Sequence, residues 1–298
     1  MAFLPSLRQL RHFAALARTG HFGRAARAEN VTQSTLSASV KALEDGLGAA
    51  LVDRSTRRVV LTPLGAEVAE RARRLVAEAE DLAQLARAEG APLSGALRLG
   101  VIPTIGPYLL PRVLPALRRA YPRLRLHLIE DLTDRLVEQL NQGRLDVLLL
   151  ALPYDVPGTD SAPVSRDAFS LVAPKGHKLL SAPALGTRAL KGENLLLLRE
   201  GHCLRGHALD ACGLAETREA EALEATSLHT IVQMVDNGLG ITLLPQLAID
   251  AGLLRGTKLA ARPLEGAARD IGLVWRRGTA RKAEFELLAR ELAKLAKQ

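Results

Sequence analysis

The chain contains two cysteines, and both fall in the stretch Gly201-His202-Cys203-Leu204-Arg205-Gly206-His207-Ala208-Leu209-Asp210-Ala211-Cys212. Only a thiolate is a good nucleophile, and a thiol ionises more readily at a helix N-terminus and beside cationic groups. Cys203 follows Gly201, with His202 adjacent and Arg205 and His207 within one helical turn. Cys212 lies towards the other end, where the helix dipole disfavours a thiolate. This asymmetry fits an attacking cysteine and a resolving one; two buried structural cysteines are an equally open reading of the spacing alone. His202, Cys203, His207 and Cys212 are also four potential zinc ligands. Only Cys203 and His207 share a helical face, and there is no Cys-x-x-Cys unit, so no metal is expected.

The elements around this segment must position it. Leu204, Ala208 and Ala211 recur on one face between Gly201 and Gly213, which predicts a helix across both cysteines. On an intact helix, residues nine apart are separated by about 13.5 Å along the axis. A disulfide needs Cα atoms within roughly 7 Å. Pairing the two sulfurs therefore requires the helix to come apart.

Strands and helices alternate on either side. Strands are expected at 97–102, 124–129 and 147–150, with helices at 107–120 and 133–143 between them, a parallel α/β layout. A second set has strands near 169–172, 195–198 and 241–244, helices at 202–211 and 227–237, a return strand at 271–275 and a closing helix at 283–297. Two α/β lobes with two crossovers make a hinged binding module, and ligands in such sheets sit at the carboxyl ends of strands.

The 298 residues are 48% hydrophobic and only 3% aromatic, so the cores are aliphatic. The net charge is +8, and residues 1–62 hold nine Arg or Lys against four Asp or Glu. A basic surplus concentrated in one small segment suits a polyanion. No membrane span is expected, since the longest apolar runs fall far short of eighteen residues. Arg8 and Arg11 precede any apolar run of useful length, so no secretory signal is read and the expected location is the cytoplasm. Thiols there are kept reduced and disulfides are mostly transient.

Residues 1–62 read as an all-α winged helix-turn-helix. Ser6 can cap a first helix that Gly20 closes, Phe22 to Glu29 gives a second, and Thr32 can cap a third running to about Asp45. The inner face of the third carries Leu36, Val40, Leu43 and Leu47. Its polar face presents Gln33, Ser34, Thr35, Ser37, Ser39 and Lys41, side chains suited to base edges and phosphates in a major groove. Leu51 to Thr62 alternates apolar residues with Arg54, Arg57 and Arg58, a wing on the phosphate backbone. Residues 63–89 form one long helical pattern in which Val68, Ala72, Leu75, Ala79, Leu82 and Ala86 make a heptad seam for a dimer. Residues 90–95 are a hinge, and 96–298 are the two-lobed regulatory domain. Lobe I takes about 96–165 and 268–298; lobe II takes about 166–267.

Leu10-Arg11-His12-Phe13, Phe22-Gly23-Arg24-Ala25-Ala26, Val31-Thr32-Gln33-Ser34-Thr35-Leu36-Ser37, Leu43-Glu44 and Leu51-Val52-Asp53-Arg54 together resemble a LysR-type transcriptional regulator over essentially the whole length. That resemblance implies the same winged helix-turn-helix joined by a long dimerisation helix to a periplasmic-binding-protein-like effector domain. Gly100 to Pro111, Gly201 to Arg205, Cys212, Ala225 to Leu228 and Gly240 to Pro245 are similar to the peroxide-sensing OxyR branch. This similarity implies that hydrogen peroxide oxidises Cys203 to a sulfenic acid, and that Cys212 condenses with it to a disulfide. By residue type alone Thr104 is a turn-capping threonine, Thr133 an N-cap and Arg269 a surface charge. The resemblance instead places all three, with His202, in the pocket that binds and polarises peroxide.

The partners implied are operator DNA, RNA polymerase, hydrogen peroxide and a resetting glutaredoxin or thioredoxin. The implied assembly is a homodimer that forms a homotetramer, with no cofactor and no enzymatic turnover. The branch commonly carries Asp where this chain has Gly206, which sets a helix-weakening residue inside the switch. Three rival readings are a LysR-type regulator driven by a small organic co-inducer, a thiol peroxidase and a periplasmic solute receptor.

Overall fold

The structure is a computed structural model and describes residues 3–53, 59–87, 92–154, 156–182, 185–190, 192–199, 201, 203–212 and 225–297. It divides into two compact units, Met1–Glu89 with Asn141–Arg144, and Gly90–Leu140 with Leu145–Gln298. In the first, helix α1 (Leu7–Thr19) starts at a reciprocal cap. Gln9 N–H donates to Ser6 Oγ at 3.2 Å, and Ser6 N–H donates to Gln9 Oε1 at 2.8 Å. It stops at Gly20, whose φ of 60° suits a residue without Cβ. Helix α2 (Phe22–Ala28) buries Ala25 and Ala26, small side chains that allow close approach to α3 (Gln33–Leu47).

Thr32 caps α3, and Leu36, Val40 and Leu43 fill the core as expected. Leu47 departs from expectation, being 39% exposed. The chain turns at Gly48, and the fully buried Leu51 enters the core instead. Glu44, from the same helix, fixes that turn by accepting Leu51 N–H at 2.8 Å and Val52 N–H at 3.0 Å. Strands β1 (Val52–Asp53) and β2 (Val60–Leu61) pair antiparallel. Arg54, Arg57 and Arg58 lie outside the described residues. Helix α4 (Pro63–Arg87) packs Ala69 and Ala72, with Val68 and Val76 beside them, on the core of its own unit. Leu75 and Leu82 of the heptad seam stay open to solvent.

The second unit runs β3 (Gly95–Val101), α5 (Gly106–Ala120), β4 (Leu124–Glu130), α6 (Thr133–Asn141), β5 (Val147–Leu152) and β6 (Thr159–Pro174). After two 3-10 turns come β7 (Leu195–Leu196), α7 (Cys203–Cys212), α8 (Leu228–Asp236), β8 (Ile241–Pro245), α9 (Gln246–Asp250), β9 (Leu259–Arg276) and α10 (Lys282–Ala296). The sheet order is β4-β3-β5-β9-β6-β8-β7. The sheet is mixed rather than parallel. β3 lies parallel to β4 and β5, whereas β9 is antiparallel to β5 and β6. The short strands expected near 169–172 and 271–275 are the ends of strands of 16 and 18 residues. Their polar middle sections carry no apolar run, so burial period alone does not reveal them.

These two strands join the lobes of an α/β domain, with β3, β4 and β5 in one lobe and β7 and β8 in the other. Among the described residues no helix is long and apolar enough to cross a membrane.

Candidate functional site

Asp167 on β6 and Arg269 on β9 are direct register partners. Residues opposite one another in an antiparallel pair send their side chains to the same face. Just beyond them the ladder slips, from Ala168 opposite Ala268 to Ser170 opposite Pro263. Such an irregularity bends a strand and re-aims the side chains beside it. Here they are aimed at the turn between β3 and α5, which holds Thr104. Arg269 Nε and Nη2 donate to Asp167 Oδ2 at 3.1 and 3.0 Å. Nη2 also donates to the Thr104 carbonyl oxygen at 2.9 Å, and Nη1 to Thr104 Oγ1 at 2.9 Å. Asp167 Oδ1 accepts the N–H of Leu247, in the first turn of α9, at 3.0 Å.

All three side chains are buried, with Thr104 2%, Asp167 4% and Arg269 2% exposed. Arg269 is therefore no surface charge. A guanidinium can be buried only when paired and hydrogen-bonded, and Asp167 with Thr104 supplies both conditions. Nor does Thr104 cap a turn with its hydroxyl. Oγ1 accepts from Arg269, which leaves its own proton to donate elsewhere.

Thr133 is the first residue of α6 rather than its cap. The entry to α6 is held by Asp131, whose Oδ1 accepts Leu132 N–H at 2.8 Å. Thr133 Oγ1 is buried and has no partner among the described residues. A buried hydroxyl left unmade costs about 1–3 kcal/mol, so such a position is poised for a small polar ligand or water. The segment ahead of α7 passes the preceding residue, Leu132. Gly201 has φ of 88°, and a Cβ there would lie 3.4 Å from Leu132 Cδ1, next to Thr133 in the chain.

Helix α7 buries Leu204 and Ala208 and packs against β9, the strand that carries Arg269. Its ten residues run unbroken from Cys203 to Cys212, which separates those two backbones by about 13.5 Å along the axis. His202 and the side chains of Cys203 and Cys212 lie outside the described residues.

The structure thus brings Thr104 and Arg269 into direct contact and sets Leu132, the chain neighbour of Thr133, close to Gly201, two residues ahead of α7. Sequence reasoning missed Asp167, whose only local signal is an acidic residue in the polar run Ser165-Arg166-Asp167. It also missed the stack of Tyr108, in the first turn of α5, on His229 of α8, with centroids 6.3 Å apart and planes at 19°. Burial, with Glu130 nearby, pushes the Tyr108 phenol up to about 12, so it stays neutral.

In the first unit Gln33, Ser34, Thr35 and Lys41 are exposed along α3, and Ser37 is half-buried. Thr32 Oγ1 accepts Thr35 N–H at 3.2 Å, so the helix N-terminus and its short polar side chains form one outward face. Behind it, His12 is buried with Nδ1 lacking a partner among the described residues. Burial pushes its pKa below 6.5, opposed by Glu29 and assisted by Arg11 and Arg8.

A helix-turn-helix unit with a hairpin wing, followed by a two-lobed α/β domain with a buried polar cluster at its connecting strands, has the parts of a DNA-binding transcriptional regulator. Residues 7–66 match the bacterial regulatory helix-turn-helix protein of the lysR family, and residues 90–297 match the LysR substrate binding domain. The chain belongs to the LysR family of transcriptional regulators.

Among curated relatives it is 46% identical over 293 residues to the "Probable hydrogen peroxide-inducible genes activator" of Streptomyces viridosporus, covering 97% of this chain and 93% of that protein. It is 43% identical over 290 residues to the HTH-type transcriptional regulator EstR of Acinetobacter baylyi, covering 97% and 96%. Among solved structures it is similar to a cysteine-to-serine mutant of Corynebacterium glutamicum OxyR with hydrogen peroxide bound. There the TM-score is 0.68 at 36% identity, covering 100% of this chain and 94% of that one.

Proposed function

We propose that this protein is a peroxide-responsive transcriptional regulator whose sensor is Cys203, with Cys212 as its resolving partner. The observation that carries the reading is the Arg269–Thr104 contact, which leaves the Thr104 proton available, together with the buried Thr133 hydroxyl, which has no partner among the described residues. A peroxide-inducible relative and a peroxide-bound relative support it.

In the proposed chemistry the Cys203 thiolate attacks one peroxide oxygen and the O–O bond breaks. The departing oxygen leaves as hydroxide, takes up a proton and becomes water. Donors converging on it, from Thr104, Thr133, His202 and Arg269, stabilise the charge as it develops. Cys203 is oxidised to a sulfenic acid. The Cys212 thiol then attacks that sulfur, a second water departs and a disulfide forms.

Because α7 holds the two residues apart, closing the disulfide unwinds it and repacks the lobe. The change passes through α4, whose open Leu75 and Leu82 fit a dimer seam, to the DNA-reading helices. Gln33, Ser34, Thr35, Ser37 and Lys41, with Arg54, Arg57 and Arg58 in the wing, meet operator DNA. Homotetramer assembly, contact with RNA polymerase and reset by a cytosolic glutaredoxin or thioredoxin complete the proposed cycle.

The test is thiol titration with operator footprinting before and after one equivalent of peroxide, on the native chain and on Cys203→Ser. Loss of both thiols with an altered footprint, abolished in Cys203→Ser, supports the reading. Two free thiols surviving in the native chain, or an unchanged response in Cys203→Ser, would transfer the function to a small organic co-inducer.

A further inference from the structure

The geometry points to Asp167 as the positioning residue for the oxidation of Cys203, acting through Arg269 on Thr104; the inference rests on the function proposed above. An arginine has five N–H donors, and four of those on Arg269 are engaged, two on Asp167 Oδ2, one on the Thr104 carbonyl and one on Thr104 Oγ1. Both bonds to Oδ2 come from the Nε/Nη2 edge, so the carboxylate fixes the plane of the guanidinium and aims Nη1 at the threonine. Asp167 is itself held. Its backbone is in the β6/β9 ladder, and Oδ1 is tied to Leu247 N–H at the start of α9.

This arrangement sets the direction of the Thr104 proton. With one lone pair already accepting from Arg269, the hydroxyl keeps its proton free, and a departing peroxide oxygen that gathers negative charge is served by that proton. If Asp167 loses its charge, the guanidinium loses the partner that holds its edge, and Nη1 is free to swing off Oγ1. Thr104 can then rotate and present a lone pair instead of a proton. In the oxidation step Asp167 gives and takes no proton. The S–O bond forms at Cys203, the O–O bond breaks, and the hydroxide produced is protonated to water. Asp167 only keeps the donor aligned, and misplacement of such a group by about 1 Å costs on the order of 10²-fold.

The experiment uses the full chain carrying Cys212→Ser, so that Cys203 is the one reacting thiol, and compares two rates in native and Asp167→Asn forms. One is oxidation by hydrogen peroxide; the other is alkylation by iodoacetamide, which has no O–O bond to polarise. The expected result is peroxide oxidation slowed about tenfold to a hundredfold in Asp167→Asn, with alkylation unchanged. In a Thr104→Val background the same substitution should add no further loss. If Asp167→Asn does not accumulate folded, Asp167→Glu is measured in its place. It keeps the charge on a longer arm, and is expected to slow peroxide oxidation about tenfold without slowing alkylation.

Equal peroxide rates in variant and parent, or peroxide and alkylation rates falling together, overturn the inference. In the latter case Asp167 merely supports the packing of α7. Failure of the Asp167-unsubstituted protein to react with peroxide at Cys203 removes the proposed function itself, a result distinct from either.

Discussion

Replacing Gly206 by alanine should make the disulfide harder to form, by an amount the structure fixes. Gly206 is the fourth of ten residues in α7, is exposed, and has no atom within 4 Å of where a Cβ would sit. The substitution therefore adds helix propensity without a clash and without new packing. Alanine is favoured over glycine inside a helix by about 0.8–1 kcal/mol. The helix exists with both thiols free, and pairing the sulfurs demands Cα atoms within roughly 7 Å, which an intact α7 forbids. The whole gain thus accrues to the dithiol form. It disfavours the disulfide about fivefold, and since about 1.4 kcal/mol corresponds to 30 mV for a two-electron couple, it raises the reduction potential by about 20 mV. Gly206→Asp, with poorer propensity than alanine, should move the potential by only a few millivolts, on the order of a quarter of that shift. Equilibration in graded dithiothreitol buffers, quenched by alkylation and read by intact mass, measures both. A potential that stays put or falls in Gly206→Ala would mean that α7 survives oxidation, and the two-state switch would have to be abandoned.

Lys41→Ala should weaken operator binding and lower the slope of log affinity against log salt by about 0.9, one phosphate contact's worth. A full slope in the variant would place Lys41 off the DNA backbone. His12 predicts an acid-side loss of stability. Its folded-state pKa lies below 6.5, so as pH falls the unfolded chain takes the proton first. The contribution is complete above that value and drains away as pH drops through the folded pKa. Urea midpoints between pH 7.5 and 5 should fall more steeply for the native chain than for His12→Gln, and parallel curves would count against a buried neutral imidazole.

Local chemistry was readable in the sequence, and long-range charge pairing was not. Ser6, Gly20 and Thr32 mark helix ends because caps are made within three or four residues. Leu36, Val40 and Leu43 mark a buried face because burial in an apolar core repeats at the helix period. Helix α7 is legible from Leu204, Ala208 and Ala211 on one face between Gly201 and Gly213, and Leu204 and Ala208 are buried in the structure. Leu47 was misread for the complementary reason, since the period continues past the point where the chain turns away.

The heart of the candidate site obeys neither signal. Asp160, on β6, also pairs with Arg277, the residue just past the end of β9, at 3.2 Å with the arginine 70% exposed. Asp167 and Arg269 are the same two residue types, here both within the paired strands, joined at 3.0 Å with the arginine side chain fully buried. Nothing in the flanking residues separates the two pairs. What separates them is the slip in the ladder beside Ala168 and the Thr104 turn, which lies 165 residues from Arg269 in the chain. A solvent-facing pair contributes about 0–1 kcal/mol and tolerates loss of a partner. A buried one, deprived of its carboxylate, leaves an uncompensated charge that costs several kcal/mol. Sequence period reports where apolar surface is hidden. Where a charge is hidden depends on partners that only the pairing of β6 with β9 against the Thr104 turn assembles, and for that reason Asp167, rather than any residue of the cysteine motif, is where the fold adds most to what the chain alone discloses.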